Sequence, residues 1–567
     1  MSRTEKQVNR RIRLLLAVFV LALAGTLARA VWLQGVRAQD LGAMARSQHR
    51  QTVTLAAPRG TIFDRTGAQL AIGEERTTVF ADPSQLAEPR RVAVAAERIL
   101  GVDANELYPQ LLDRQKHFVR IKRFADPKQA ARLAKRGFAG VGFYAEEQRA
   151  YPQRTVASQV VGYAGDDNKG LSGIELAQDP SLAGTPGKQT LIRDPVGRAI
   201  DVLSTTPERD GHDVFLTIDH RIQAQAEQVM KQTVAKWHAA AACAVVLDPL
   251  TGAVYALAQA PAYDANDANR VPLALQRNRA VTDLYEPGST FKLVTVAGAL
   301  SEGLVTPSSQ FTLPYSIHVA DRVIHDAEDR PTETMTVAQI LSRSSNVGAI
   351  TLAEKLGPEL LARWIDRFGF GKPTGIDFPG ETSGLVLPLA QWSGSTIGNV
   401  PIGQGIAVTP IQMASVYAAV ANGGLWVEPH VVERVVGHPR PKVARRRIMT
   451  PRVSAQIQSM LADVVQEGGT GTAAAVPGYR VAGKTGTAQK PDSRGGYSSS
   501  KYVASFVGMV PASKPRLVVL VMVDEPRGQI FGGVIAAPAF AEIAKFDLQY
   551  LEIPPDAPAT ATSAATG

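Results

Sequence analysis

The chain has one cysteine, Cys243, in 567 residues, so it can form no intramolecular disulfide, no cysteine-based zinc cluster and no redox pair. Cys243 lies in the apolar, strand-like run Ala242 to Leu247, which reads as a small buried hydrophobe rather than a nucleophile. The chain also lacks a strong excess of either charge. The formal net charge is +9, and Arg3, Lys6, Arg10, Arg11 and Arg13 against Glu5 supply +4 of it within the first thirteen residues. What remains is too weakly basic for a nucleic-acid-binding face, so no nucleic acid is expected as a partner. There is one long uncharged apolar run, which excludes a multi-span membrane protein. With 45% hydrophobic and 20% charged residues the composition is globular, and the length exceeds what one hydrophobic core serves, so two or more folded units are expected.

The apolar run, Leu14 to Ala28, follows the basic stub 1–13 and continues past Arg29 through Ala30, Val31, Trp32 and Leu33. As an anchor over 14–36 it reaches about the 20 residues needed to cross a bilayer, with the positive stub in the cytoplasm. As a signal peptide it would be cleaved after Ala30, where Ala28-Arg29-Ala30 imitates a small-x-small site. The anchor is the preferred reading, and under both the body lies outside the cytoplasmic membrane. Residues 37–210 alternate short β-rich runs with helical ones, such as Arg90 to Leu100 and Pro127 to Ala134, and show no catalytic constellation. A second unit, 211–553, opens with Val214 to Ile218 and a helical stretch Gln223 to Trp237. The runs Ala242 to Leu247 and Ala253 to Leu257, joined by Asp248-Pro249-Leu250-Thr251-Gly252, form an expected hairpin. A long helical middle follows, and strands return at Val503 to Val510 and Leu517 to Val523. This order predicts an α+β fold, a helical cluster against an antiparallel sheet. The tail 554–567, rich in Pro, Ala, Thr and Ser, has little to bury and reads as disordered.

The chemistry concentrates in the second unit. Glu286-Pro287-Gly288-Ser289-Thr290-Phe291-Lys292 begins with turn formers and runs into the apolar helical pattern Leu293 to Leu300, so Ser289 stands at a helix start. Helical residues three apart share a face, which brings the Lys292 amine beside the Ser289 hydroxyl. Serine needs a base to become a nucleophile, and lysine can be that base if desolvation and nearby positive charge lower its pKa. Ser-x-x-Lys alone is common, and Ser289 could equally be an N-cap. Two further fragments matter: Ser342-Arg343-Ser344-Ser345-Asn346 after a helical segment, and Gly483-Lys484-Thr485-Gly486-Thr487 after a strand-like one. In a strand, Thr485 and Thr487 share a face where their hydroxyls can hold a carboxylate, with Lys484 supplying positive charge. Gly486 omits a side chain where a substrate backbone would approach.

In this order the fragments match the Ser-x-x-Lys, Ser-x-Asn and Lys-Thr-Gly set of penicillin-binding proteins and serine β-lactamases. The chain resembles a class B penicillin-binding protein, most closely the cell-division (FtsI-type) peptidoglycan transpeptidases. In the first unit Arg59 to Gly67, Arg149-Ala150-Tyr151-Pro152, Gly170 to Glu175 and Arg193 to Arg198 look like that family's four motifs. In the second, Gly403-Gln404-Gly405 and Val408 to Gln412 read as its text. The resemblance implies a penicillin-binding/serine β-lactamase-like transpeptidase domain preceded by an elongated mixed α/β pedestal. It implies Ser289 as acylated nucleophile, Lys292 as proton acceptor, Ser344 as proton relay and Asn346 as orienter of the substrate amide. Lys484, Thr485 and Thr487 would bind the carboxylate of a D-Ala-D-Ala stem peptide, with the backbone N–H groups of Ser289 and Thr487 as oxyanion hole. No metal or organic cofactor is implied, since acyl transfer through a serine ester needs none.

The implied partners are peptidoglycan stem peptides, a D-Ala-D-Ala donor and an amine acceptor. Others are β-lactams, a polytopic glycosyltransferase and other division-complex membrane proteins, and the implied location is the septal cytoplasmic membrane, single-pass with the catalytic domain outside. A side-wall transpeptidase, a membrane-anchored β-lactamase and a non-catalytic division scaffold are the alternatives. A β-lactamase needs a positioned deacylation base, which the sequence does not reveal. Ser345 stands where many β-lactamases carry Asp, which leans toward the penicillin-binding proteins. The basic run Arg440 to Arg447 reads as a solvated loop.

Overall fold

The computed structural model describes residues 3–39, 50–193, 199–492 and 495–557. Residues 194–198 of the fourth family-like motif and the tail beyond Ala557 lie outside them. The chain divides into two compact units, one of residues 1–58 and 184–210 and one of 59–183 and 211–567. The smaller unit's second segment ends at Asp210, but residues 59–183 of the expected 37–210 unit group with 211–567.

In the smaller unit, the helix Arg3–Val31 runs on as a π-helical turn, Trp32–Val36. Over Gln7–Val36 it is long and apolar enough to cross a membrane, and none of its apolar stretch is buried. Exposed Leu14, Leu15, Leu16, Phe19 and Leu21 leave a surface that water does not favour, which fits a transmembrane anchor. The unit also holds an antiparallel three-stranded sheet in the order Arg50–Leu55, Gly187–Arg193, Ala199–Thr206.

The larger unit is built on an antiparallel five-stranded sheet in the order Val254–Ala260, Ala241–Leu247, Leu517–Asp524, Tyr497–Val510, Ala482–Pro491. The expected hairpin is present, its turn held by the Gly252 N–H donating to the Asp248 carbonyl at 2.9 Å. Strand alternation splits these residues between two cores. Cys243, Val245, Leu247, Val518, Leu520 and Met522 face the helical middle of the chain. Ala242, Ala244, Val246, Val519, Val521 and Val523 pack with the helices His220–Trp237 and Gly532–Tyr550. Burial on both faces explains why these strands read as continuous apolar runs rather than alternating ones. Cys243 is fully buried, as expected.

A second sheet runs Val432–Val435, Val214–Leu216, Ile62–Phe63, Gln69–Ala81, Val119–Ala125, with Val141–Ala150 also paired to Gln69–Ala81. It stitches 59–183 to the rest of the unit. The motifs that look like Gly-rich turns in sequence meet there in a buried ion cluster. The Arg59 Nε donates to Glu175 Oε2 at 2.7 Å, the Arg149 Nε to Glu175 Oε1 at 2.6 Å, and Arg59 Nη1 to Asp179 at 2.7 Å. The Tyr151 hydroxyl lies 3.4 Å from the same Glu175 oxygen. Glu175 is fully buried, so its charge is tolerable only because two guanidinium groups share it.

The basic run is only partly solvated. Arg445–Arg447 forms a short strand against Leu425–Val427. Arg446 lies over the Trp426 ring at 4.6 Å and donates to the carbonyls of Arg367 and Phe368 at the end of the helix Pro358–Phe368. A cation at a helix C-terminus satisfies carbonyls that lack helical partners, so Arg446 is a capping residue.

Candidate active site

Ser289 sits in a 3-10 turn, Gly288–Phe291, and the α-helix begins only at Lys292 and runs to Ser301. In a 3-10 turn side chains at i and i+3 eclipse, so the geometry still stacks Ser289 and Lys292 on one side. Leu293, Val294, Val296, Ala297, Ala299 and Leu300 are all buried; the helix is apolar all round and sinks Lys292 to 1% exposure. Ser289 remains partly exposed. The turn is braced from behind: the Tyr417 hydroxyl donates to the Thr290 carbonyl at 3.0 Å, the Gly288 N–H to the Gly403 carbonyl at 3.1 Å, and Phe291 packs on Phe370. Gly405 N–H donates to Glu286 at 3.0 Å, so the Gly403-Gln404-Gly405 segment holds the nucleophile turn in register.

The Lys292 amine donates to the Ser344 carbonyl at 2.5 Å, Asn346 Oδ1 at 2.7 Å and Ser344 Oγ at 3.2 Å. Ser344 has φ of +61°, a costly conformation for serine, and it is the conformation in which its carbonyl and hydroxyl both reach the amine. No hydrogen bond joins Ser289 Oγ to Lys292 among the described residues; such contacts often tighten only when substrate binds. Burial pushes the Lys292 amine down to about 7, against an upward pull from Asp326. An amine that titrates there can take a proton at neutral pH.

Asp326 is the residue that sequence reasoning missed. Its buried carboxylate accepts from the backbone N–H of Asn346 at 2.5 Å and of Val347 at 3.0 Å, at the start of the helix Asn346–Leu356. It also takes the Ser345 hydroxyl at 3.0 Å and is paired with Arg330 at 2.6 Å. A carboxylate at a helix N-terminus is favoured by the exposed N–H groups, and here it fixes the loop that presents Ser344 and Asn346 to Lys292. Nothing in the sequence marks it.

Lys484, in the strand Ala482–Pro491, has no exposed surface and among the described residues donates only to the Thr485 carbonyl at 3.3 Å and hydroxyl at 3.4 Å. Burial, reinforced by the neighbouring Lys292 charge, holds its amine well below the usual lysine range. A lysine in that state takes up a full charge when an anion arrives beside it, which suits a carboxylate-binding role. Thr485 shares a 2.8 Å hydrogen bond with Thr470, and the Thr487 hydroxyl accepts from the Gly532 N–H at 3.1 Å, where the helix Gly532–Tyr550 begins. The reason for Gly486 differs from the expected one. A Cβ there would lie 2.3 Å from Ser505 Oγ, 2.9 Å from the Pro287 carbonyl and 3.0 Å from Thr290, so glycine admits the protein's own nucleophile turn. From the other side, a Cβ on Gly288 would meet the Thr487 carbonyl at 2.7 Å. The two glycines set the spacing between Ser289 and the strand.

Away from this cleft, Asp64, Asp219 and His220 bring one ligand-type atom each within 4.8 Å of one another. Their lone pairs are engaged. Asp64 accepts from Thr66, Ala68 and the His220 ring, and Asp219 caps the helix His220–Trp237 and pairs with Arg65. That chemistry is structural.

The family model of the penicillin binding protein transpeptidase domain matches residues 242–545, and that of the penicillin-binding protein dimerisation domain matches 54–216. A probable peptidoglycan D,D-transpeptidase PenA of Neisseria meningitidis is 34% identical, covering 98% of this chain and 96% of its own. The peptidoglycan D,D-transpeptidase FtsI of Escherichia coli is 33% identical over 97% and 93%. The crystal structure of penicillin binding protein 3 from Mycobacterium tuberculosis complexed with aztreonam superposes with a TM-score of 0.71 at 30% identity, covering 89% of this chain and 99% of that one.

Proposed function

This chain belongs to the class B penicillin-binding proteins, serine-type peptidoglycan D,D-transpeptidases, and we propose that it cross-links stem peptides at the division septum through an acyl-enzyme on Ser289. Ser289 attacks the penultimate D-Ala carbonyl while Lys292 takes its proton. Ser344 passes a proton to the departing D-Ala amine, and Asn346 orients the substrate amide. Lys484, Thr485 and Thr487 hold the terminal carboxylate, and the backbone N–H groups of Ser289 and Thr487 stabilise the oxyanion. An amine of a second stem peptide then takes the acyl group. A β-lactam acylates the same serine and stays, a reading supported by the aztreonam complex of the mycobacterial neighbour. The observation that carries the proposal is the buried Lys292 amine, bonded to Ser344 and Asn346 and brought down to about 7 one turn after Ser289.

The septal role rests on the likeness of the motif order to the cell-division branch. The apolar N-terminal helix supports a single-pass anchor with its basic end in the cytoplasm, and the match of the dimerisation-domain model to residues 54–216 supports a non-catalytic module within 37–210. The test is intact-protein mass spectrometry after incubation with penicillin. A stable gain of one penicillin, mapped to Ser289, is the expected result. An adduct elsewhere, or turnover with no adduct, overturns it, the latter in favour of a β-lactamase.

A further inference from the structure

The transpeptidase reading leaves one proton unaccounted for. A stem-peptide amine arrives as an ammonium, and it must lose one proton before it can attack the acyl-enzyme and a second after the C–N bond forms. The Ser344 relay, which by reversal of the acylation step handles one proton, can serve only the second. At neutral pH, where the amine in solution is mostly protonated, a further base on the same side of the cleft would remove the first.

His325 stands there. It ends the strand Arg322–His325, which pairs with Ser316–Val319 as a hairpin. Its carbonyl accepts from Asn346 Nδ2 at 2.9 Å, and the other atom of that same amide, Oδ1, accepts from Lys292 at 2.7 Å. The exposed imidazole is nonetheless oriented. It stacks on Tyr315 with centroids 5.4 Å apart at 26°, and its Nδ1 lies 2.8 Å from the Asp326 carbonyl. A carbonyl can only accept, so Nδ1 carries the hydrogen in the neutral ring and Nε2 keeps its lone pair. Nε2 has no hydrogen-bond partner among the described residues.

We propose that His325 is the base that removes the first proton from the acceptor ammonium, and that the acceptor enters over the Ser316–His325 hairpin. This rests on the transpeptidase reading. The proton passes to Nε2, giving an imidazolium. The freed amine forms its C–N bond to the acyl carbon, its second proton returns through Ser344, the ester C–O bond breaks, and Ser289 regains its hydroxyl. The imidazolium then releases its proton to solvent.

An incoming ammonium would meet acidic residues next to His325 in the chain. Exposed Glu328 and Asp329 follow within four residues and have no ion-pair partner among the described residues. The neighbouring cations are engaged: Arg330 by Asp326 at 2.6 Å, Arg343 by Glu333 at 2.7 Å, and Arg322 by Asp321 at 3.8 Å. Besides Asp326, the titratable group against the ring is Tyr315, whose hydroxyl is 3.3 Å from Nδ1.

The test uses the full-length protein, a thioester analogue of the D-Ala-D-Ala donor and D-alanine as the added amine. The readout is the ratio of aminolysis to hydrolysis of the acyl-enzyme, which does not depend on how fast that acyl-enzyme forms. His325→Gln should lower the ratio at pH 7 at least about tenfold, and raising the pH, which deprotonates the amine in solution, should recover it. Glu328→Gln with Asp329→Asn should raise the acceptor concentration needed for half-maximal transfer without changing the maximal ratio. An unchanged ratio in His325→Gln, or a fall that high pH does not recover, overturns the proposal. Failure of the wild-type protein to form any acyl-enzyme from the thioester overturns the transpeptidase reading instead.

Discussion

Changing Lys292 to arginine separates its charge from its basicity, and the structure sets the size of the effect. An ordinary lysine amine, at 10.5, is neutral in about three molecules in ten thousand at pH 7. At about 7, the value burial gives Lys292, half the molecules hold the free base. Burial therefore enlarges the reactive population by about a thousandfold, worth about 4 kcal/mol of barrier. A guanidinium keeps the charge and most of the hydrogen bonds to Ser344 and Asn346 but is not deprotonated in proteins, so Lys292→Arg should forfeit this gain.

The assay is the second-order rate of acylation by a fluorescent penicillin from pH 5.5 to 9. In the native protein the rate should rise as pH passes through about 7 and then level off, because the neutral amine is the reactive form and the depressed value places its formation there. Lys292→Arg should lie about a thousandfold lower at pH 7, and Lys292→Ala similarly low. Thermal melting of each variant separates lost chemistry from lost fold. If Lys292→Arg keeps more than a tenth of the native rate while folded, or if the native profile is flat across this range, Lys292 is not the base and the mechanism fails.

Lys484 should respond differently: Lys484→Arg should retain more acylation than Lys484→Ala, whose loss of one charge-assisted hydrogen bond should cost about ten- to a hundredfold in rate. If Lys484→Arg is dead while Lys292→Arg is active, the two roles are reversed. Gly486→Ala should slow acylation at least about tenfold and destabilise the protein by about 1–3 kcal/mol, because the new methyl group would sit 2.9 Å from the Pro287 carbonyl; full acylation in a folded Gly486→Ala would show that this spacing does not matter. Glu175→Gln should cost about 3–5 kcal/mol, since it leaves the buried Arg59 and Arg149 without their shared carboxylate. Chemical denaturation reads this, and a loss below about 1 kcal/mol would assign the cluster no stabilising role.

What the sequence discloses depends on how far apart in the chain the interacting groups lie. Ser289 and Lys292 are one turn apart, so helical geometry alone predicts their meeting, and only the change from an α-helical start to a 3-10 turn is hidden. The strands Ala241–Leu247 and Leu517–Asp524 are legible because burial on both faces makes them apolar almost throughout. Asp326 is illegible because it acts 20 positions away, across the strand Glu333–Thr336 and the helix Val337–Ser342, on the N–H of Asn346. Arg59 and Glu175 are 116 positions apart, and each sits in a motif whose glycines advertise only a turn. Gly486 shows the same limit in another form: the sequence says that something must come close, and only the fold says that it is the Ser289 turn. The three catalytic-type motifs are therefore visible as separate chemistries. What makes them one site is a set of long-range supports, Asp326 under Asn346, Tyr417 behind Thr290 and Gly532 against Thr487, contributed by residues that look ordinary one at a time.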